Sequence, residues 1–141
     1  MKTGLLVLAM ALAASQANSQ KLATAKIPAA VKAAFARAHP GTTATWEKED
    51  GNFEAVYRAS GTEASCVITP TGNILETETA VSPDKMPPAV MTYIRQHYKG
   101  KKIRETARIE RASGEVVYEV AVGGKDILFD TNGKLIKSAK D

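Results

Sequence analysis

The residues of this 141-residue chain best suited to chemistry are carboxylates that recur at every second position. Glu47 and Glu49 form one such pair, and Glu76 and Glu78 form another. Side chains two positions apart on a β-strand point to the same face, so each pair would present two carboxylates together. A hard cation such as Ca²⁺ needs several oxygen ligands. The pattern indicates a candidate cation-binding cluster, although solvated strand edges carry similar charges.

Residues that perform nucleophilic or metal chemistry are few. Cys66 is the only cysteine, which excludes an internal disulfide, and it alternates with Ala64 and Ile68, so we predict a buried, inert thiol. His39 and His97 have no second ligand at the spacing of a zinc site. No nucleotide loop, calcium loop or nucleophile elbow occurs. The first interpretation is a protein without catalytic residues, metal or cofactor, and cation binding is the alternative.

The N-terminus has the parts of a secretory signal. A basic residue precedes an apolar run from Leu5 to Ala14, and the small-x-small sequence of Ser15–Ala17 follows. We predict a signal peptide over residues 1–17, cleaved after Ala17, and a flexible segment over residues 18–26. The apolar run is shorter than the roughly 20 residues that a membrane span needs, so we expect no span. The predicted location is the periplasm or the exterior.

Most of the remaining chain consists of two similar halves. The stretch from Ile27 to Gly41, IPAAVKAAFARAHPG, is matched by that from Met86 to Gly100, MPPAVMTYIRQHYKG. Each has proline near the helix start, apolar residues at helical spacing, and glycine at its end. Four segments with strand-like alternation follow each helix. We predict two tandem α-β4 repeats, over residues 27–81 and 82–141, in one compact domain.

The expected architecture is an α+β fold with one antiparallel eight-stranded sheet and both helices on one face. Ser82–Lys85 joins the halves and is too short for a flexible linker, which favours one continuous body. The predicted strands are Ala44–Glu49, Phe53–Ala59, Thr62–Thr69, Ile74–Val81, Ile103–Arg111, Glu115–Val122, Lys125–Asp130 and Leu135–Lys140.

The sheet face opposite the helices is the candidate binding surface. Alternation within the strands assigns to it Val56, Arg58, Val67, Arg104, Arg108, Val117, Glu119 and Leu128. A mixture of apolar and charged side chains on an uncovered sheet suits a protein or peptide partner. An ordinary solvated face carries the same mixture, so that alternative stays open.

Charge is divided unevenly along the chain. Residues 27–81 contain three more acidic than basic residues, whereas residues 82–141 contain four more basic than acidic ones. Such opposite halves could steer a charged partner or a second copy of the chain. The basic stretch Lys99–Arg104 lacks interleaved aromatic residues, so a nucleic-acid partner is not expected.

The motifs of the two halves resemble a known family. The segments TWEKEDGNFEAVY and GNILETET follow the first helix, and VVYEVAV and DTNGKLIK follow the second. Together with the helices, they resemble the PepSY-like exported proteins of Bacteroidetes-type bacteria, whose fold is similar to beta-lactamase inhibitory protein. The resemblance implies non-enzymatic binding or inhibition in the cell envelope. By analogy, Asp50 and Ser113 would belong to binding loops. The single cysteine cannot form the disulfides of that inhibitor, so lactamase inhibition itself is not predicted.

Three hypotheses follow for the function. The first is a periplasmic binding or inhibitor-like module that acts through the open sheet face and hairpin loops on a protein or peptide of the envelope. The second is a cation-binding or small enzymatic protein that uses the clustered carboxylates. The third is a structural or self-assembling envelope protein. For the first, we expect a monomer or weak dimer.

Overall fold

Antiparallel pairing joins each strand in the described part of the chain to the strand that follows it in sequence. The computed structural model describes residues 20–140. Its strands are β1 (Gln20–Leu22), β2 (Thr45–Glu49), β3 (Asn52–Ala59), β4 (Thr62–Ile68), β5 (Ile74–Ala80), β6 (Ile103–Arg111), β7 (Val116–Val122), β8 (Lys125–Phe129) and β9 (Leu135–Lys140). They form one sheet in the order β1 to β9. The predicted α+β fold with a single antiparallel sheet is confirmed.

The prediction of eight strands is wrong because β1 adds a ninth. Leu22 lies opposite Trp46 on β2 and packs against the same apolar core. A three-residue strand is too short to show alternation, so its sequence gave no strand signal. Within the predicted flexible segment, Gln20–Lys26 contain β1 and a short 3₁₀ turn at Thr24–Lys26, and their flexibility stays a prediction. The rest of that segment and the predicted signal peptide lie outside the described residues.

Two ten-residue helices interrupt the sheet, α1 (Ala29–Ala38) and α2 (Pro88–His97). A 3₁₀ turn precedes each helix, and proline stands directly before each, at Pro28 and Pro87. The order of 3₁₀ turn, helix and four strands therefore occurs twice. It stays a prediction that both halves arose from one duplicated unit. Within residues 20–140, no helix has the length and apolarity that a membrane crossing requires.

Both helices pack on the same face of the sheet. Around α1, the core includes Phe35, Trp46 and Tyr57, whereas α2 packs with Ile127 and Phe129. The pairs that connect these clusters across the strands are Tyr57 with Ala64, Ala64 with Thr79, Thr79 with Arg108, Arg108 with Tyr118, and Tyr118 with Phe129. Directly paired residues share a face. One helical layer therefore covers one side of the sheet.

A glycine turn touches the start of the helix in each half. Gly72 has a φ of +90°, and a Cβ built on it would lie 2.8 Å from the carbonyl oxygen of Ala30. Gly133 has a φ of +81°, and its Cβ would lie 2.5 Å from the Cβ of Ala89. Only glycine meets both demands, since side chains at these positions would be strained and would clash. These turns fix each helix against its strands.

Candidate binding face

The sheet has a second face, opposite the helices, that is rich in carboxylates. A row of directly paired residues crosses it from Val56 through Ser65, Glu78 and Ile109 to Val117. We call this side the acidic face. By the same pairing it also contains Glu47, Glu54, Val67, Glu76, Ala80, Glu105, Ala107, Glu119, Asp126 and Leu128. Neither α1 nor α2 packs against it.

Two glutamates at the centre of the acidic face have almost no contact with solvent. Glu78 is 2% exposed and Glu119 is 1% exposed. No hydrogen-bond partner is present for either carboxylate oxygen of these two side chains among the described residues. Burial, together with repulsion from Glu119, raises the pKa of Glu78 far above its usual range. Burial and repulsion from Asp126 and Glu105 raise the pKa of Glu119 to about 9.

The pKa values of other carboxylates on this side of the sheet are raised as well. Burial is the largest cause in each case, because it penalises the charged form. It raises the pKa of Glu76 to about 7, of Glu105 to about 7 and of Glu49 to about 8. Burial also raises the pKa of Glu54, although a hydrogen bond from Ser65 acts in the opposite direction. Near neutral pH, the acidic face therefore holds protons that ordinary glutamates would have lost.

Two arginines reach the borders of the acidic face. A nitrogen of Arg111 lies 3.9 Å from a carboxylate oxygen of Glu76, and Arg111 also bonds to Glu115 in the β6–β7 hairpin. A nitrogen of Arg104 lies 3.9 Å from Asp126 on β8. These contacts place positive charge beside the peripheral carboxylates. The direct strand partners of the central pair are Ser65, Ile109, Ala107 and Leu128, none of which is charged.

The acidic face also has an apolar part and two grooves. Ile109, Val117 and Leu128 form a separate buried cluster on this side. A cleft of about 890 Å³ lies where β4, β5 and β6 end, and Glu63 and Glu105 are among its lining residues. A smaller cleft of about 560 Å³ is lined by residues that include Thr45, Val56 and again Glu63. The face thus combines carboxylates, an apolar cluster and open grooves at one border.

Six of the ten predicted site residues lie on this face by strand pairing. Of these, Val67, Val117, Glu119 and Leu128 are buried, Val56 is half-buried and Arg58 is exposed at the end of β3. Asp50 and Ser113 are exposed in the β2–β3 and β6–β7 turns. Arg104 lies at a bulge in β6. None of these positions tests whether the residues bind a partner.

The placement of Arg108 on the open face is wrong. Arg108 pairs with Thr79 and Tyr118, which belong to the helix side, and it bonds to Glu110 at 2.9 Å. The register of β6 shifts between Ile103 and Glu105, which changes the face to which all following side chains point. Strict alternation from Ile103 onward could not reveal that bulge.

Glu54, Glu105 and Asp126 are buried or half-buried members of the acidic face that the sequence analysis did not select. Glu54 alternates with Val56 and Arg58, so the face of the sheet to which it points could be predicted from the sequence. The carboxylate density was not, because it depends on which strands are neighbours. The glutamates first considered, Glu47, Glu49, Glu76 and Glu78, do reach this side of the sheet. Within residues 20–140, however, no three His, Cys, Asp or Glu side chains are arranged to hold a metal ion.

The histidines and the thiol occupy packing positions. His39 Nε2 lies 3.0 Å from the Tyr57 hydroxyl, and its ring packs against Phe35. The ring of His97 stacks on Tyr93 at 4.1 Å between centroids. Cys66 is fully buried among core residues. None of these three groups faces the acidic side.

This combination of a two-helix layer and one meandering antiparallel sheet defines a family. The family model for beta-lactamase-inhibitor-like, PepSY-like proteins matches residues 55–137, and the chain belongs to that family. A BLIP-like protein of Bacteroides fragilis is similar in structure, with 25% identity and a TM-score of 0.64, and the match covers 80% of this chain and 86% of that one.

A second solved structure shares the fold alone. It is described as a periplasmic protein of Bacteroides eggerthii and has 16% identity and a TM-score of 0.73, with coverage of 80% of this chain and 88% of that one. A DUF2874 family protein of Bacteroides uniformis has 20% identity and a TM-score of 0.71, with the same coverage. No curated protein sequence matches the chain.

Proposed function

We propose that this protein is a non-enzymatic module of the cell envelope that binds a protein or peptide through the acidic face. The observation that carries the proposal is a sheet face with buried carboxylates and a buried apolar cluster, against which neither described helix packs. Unpaired buried polar groups cost free energy. A partner that supplies hydrogen bonds and apolar contacts would recover that cost.

The relatives support both the location and the type of activity. The family is named for its likeness to beta-lactamase inhibitors, and the similar protein of Bacteroides fragilis carries the same likeness in its name. Inhibitors of that kind act by binding. The similar protein of Bacteroides eggerthii is described as periplasmic. Together with the predicted signal peptide, these likenesses support an exported binding protein.

The turns beside the face extend the proposed surface. The β2–β3 turn contains Asp50, with a φ of +41°, and the β6–β7 turn contains Ser113. Both project from the ends of strands that contribute to the acidic face. A non-glycine residue with positive φ is uncommon and is often kept where a loop shape matters. We include both turns in the proposed docking surface.

A photo-cross-linking experiment in bacteria that produce the protein tests this proposal. A benzoylphenylalanine would replace Thr45 or Glu63 on the acidic side, and Lys32 or Thr92 on the exposed side of the helices. We expect both sheet positions to cross-link to the same protein, and both helix positions to give no such product. The proposal fails if the sheet positions yield no shared product or if the helix positions yield it equally.

A further inference from the structure

We propose that the free edge of β9 is a docking site for an extended acidic segment of another protein, which would join the sheet as a tenth strand. β9 is the last strand of the sheet and pairs with β8 on one side only. An edge strand presents backbone N–H and C=O groups with which an incoming strand can pair. This edge is a different surface from the acidic face, so a partner there is additional to the proposed function.

The side chains of β9 are largely open to solvent. Five of its six residues, all except Ala139, are exposed. Leu135 is 39% exposed and Ile136 is 42% exposed, and they are two of the three large apolar side chains that are exposed within residues 20–140. At the opposite edge of the sheet, Leu22 of β1 packs against the core instead. The edge at β9 therefore has adjacent apolar side chains that a partner strand would cover.

This edge is also basic. Lys137 and Lys140 lie within β9, Lys134 directly precedes it, and no acidic residue occurs from position 134 to position 140. None of these three ammonium groups forms an ion pair with a residue of the described chain. Lys140 lies directly opposite Lys125 on β8, and like charges in that position are destabilising. Carboxylates on an incoming strand would offset this repulsion.

The lysines account for part of the uneven charge along the chain. Four basic residues belong to the β8–β9 hairpin, at positions 125, 134, 137 and 140, against two acidic ones, Asp126 and Asp130. Both aspartates have partners inside the protein. Asp130 accepts hydrogen bonds from backbone N–H groups of its own turn, and Asp126 lies 3.9 Å from Arg104. The hairpin thus has an excess of positive charge at its free edge.

The two lysines within β9 point to opposite faces of the sheet. Lys137 pairs with Leu128 on the acidic face, whereas Lys140 pairs with Lys125, which alternates with Ile127 of the core under α2. The register is regular from Lys137 to Lys140. An antiparallel partner strand would therefore place two residues of its own, three positions apart, opposite the two lysines. The matching segment has acidic residues at positions i and i+3.

A second copy of the chain fits this edge poorly. The other edge of the sheet within the described residues is β1, which contains Lys21 and no acidic residue. Pairing of β9 with either edge of a second copy would bring lysines together. Lysines and bulges on edge strands oppose self-pairing. β9 has both, because Ile136 is left without a partner where the register shifts. The same lysines would attract an acidic strand.

Three peptides test the roles of charge and of backbone pairing. Acetyl-TEVTEVT-amide carries glutamates three positions apart, acetyl-TQVTQVT-amide is its neutral isostere, and the third is the glutamate peptide N-methylated at every residue, which removes its backbone donors. We expect the glutamate peptide to shift the NMR signals of β8 and β9 and to slow hydrogen exchange in β9, without changing the signals of β2. The glutamine peptide should bind about fivefold more weakly at low salt, and the methylated peptide should not bind.

Variants locate the recognition on the edge. Lys137→Gln and Lys140→Gln should each weaken the glutamate peptide about twofold to threefold, whereas Lys32→Gln, on the exposed side of α1, should leave its affinity unchanged. Absence of binding up to millimolar peptide overturns the inference, as does equal affinity for the glutamate and glutamine peptides or for the methylated one. Slow exchange in β9 that depends on protein concentration without peptide also overturns it, because a second copy would then occupy the edge.

The edge site and the proposed function can fail separately. The cross-linking positions Thr45 and Glu63 lie on β2 and β4, whereas the peptides report on β8 and β9. Loss of the shared cross-link with retained peptide binding removes the proposed function alone. A shared cross-link without peptide binding removes the edge site alone.

Discussion

Glu119 is the residue at which the chemistry of the sheet is most unusual. Its side chain is 1% exposed, and no described group forms a hydrogen bond with its carboxylate. A carboxylate in that position is costly when ionised, so the group keeps its proton well above the ordinary range. The same physical cause acts on Glu78, Glu76 and Glu105. These residues couple the stability of the protein to pH.

The free energy of unfolding should fall as pH rises from 5 to 9. The pKa of Glu119 is raised to about 9 and those of Glu76 and Glu105 to about 7, whereas an unfolded glutamate titrates near about 4.3. In this window the folded state binds more protons than the unfolded state, so stability decreases with pH. We expect a loss on the order of 2 kcal/mol, measured by urea denaturation at each pH.

Glu119→Gln should flatten this pH dependence, because it removes one of the groups that must lose a proton on unfolding. We expect the loss between pH 5 and pH 9 to shrink by on the order of 1 kcal/mol. Glu110→Gln is the matched control, since Glu110 is exposed on the helix side and should leave the slope unchanged. A wild-type protein that is more stable at pH 9 than at pH 5 would contradict the argument.

At the scale of elements, the helices and hairpins were the predictable part. Proline before each helix and glycine after it gave helices within two or three residues of α1 and α2. Turn signals such as Pro70–Asn73 separated the strands, and β6 and β9 have the predicted bounds. These features are local, so neighbouring residues in the sequence are enough to specify them.

The less predictable part depends on contacts between distant residues. The bulge near Ile103 reverses the faces of β6, and only its pairing with β7 at Val122 and Ala121 reveals it. Thus Arg108 was assigned to the wrong side, although its strand was correct. Similarly, Leu22 is ordered because Trp46 packs beside it, not because of its own sequence. The high density of carboxylates on the acidic face likewise depends on which strands are neighbours in the sheet.

The turn that touches α2 offers a test of how the helices are held. Gly133→Ala should lower the free energy of unfolding by about 2–4 kcal/mol, because it adds backbone strain at a φ of +81° and a contact of 2.5 Å with Ala89. Gly114→Ala is the matched control, with a φ of +86° and nothing within 4 Å. It should lose about 1 kcal/mol, from strain alone.

Urea denaturation of Gly133→Ala and Gly114→Ala measures the free energy of unfolding of each variant. The difference between the two losses separates the effect of the close contact from that of backbone strain. Gly72→Ala should behave like Gly133→Ala, because its added Cβ would meet the carbonyl oxygen of Ala30 at 2.8 Å. Equal losses at positions 114 and 133 would show that the close approach to α2 has no energetic effect.

At the scale of the whole molecule, the pairing of β5 with β6 makes the two halves one structure. Five residue pairs, from Glu76 with Arg111 to Ala80 with Ala107, join them. The halves nevertheless have separate apolar cores, one under α1 and one under α2. A continuous hydrogen-bonded sheet favours a single cooperative transition over independent unfolding of the cores.

Ile127→Ala should therefore destabilise the half that it does not belong to. Ile127 is fully buried under α2, and its truncation should cost about 2–5 kcal/mol. Trp46 is the only tryptophan and lies in the core under α1, so its fluorescence reports on the other half. We expect the fluorescence midpoint in urea to fall together with the circular-dichroism midpoint.

Ile127→Val is the milder control and should move both midpoints by about a quarter to a half as much. If the fluorescence midpoint of Ile127→Ala stays at the wild-type value while the circular-dichroism signal splits into two steps, the halves unfold independently. The pairing of β5 with β6 would then connect the two halves without making them unfold together.

Chemical labelling of the single thiol, Cys66, can measure how often the folded molecule opens transiently. Cys66 is fully buried in the core under α1, and burial raises the pKa of its thiol to about 12. A thiol reagent in the surrounding medium can react only with molecules in which β4 has separated from its neighbours, since the thiolate is the reactive form. The rate of labelling without denaturant should therefore track the equilibrium between closed and open molecules, and it should accelerate in Ile127→Ala. While the protein stays folded, burial of Cys66 prevents it from forming a disulfide with a second molecule.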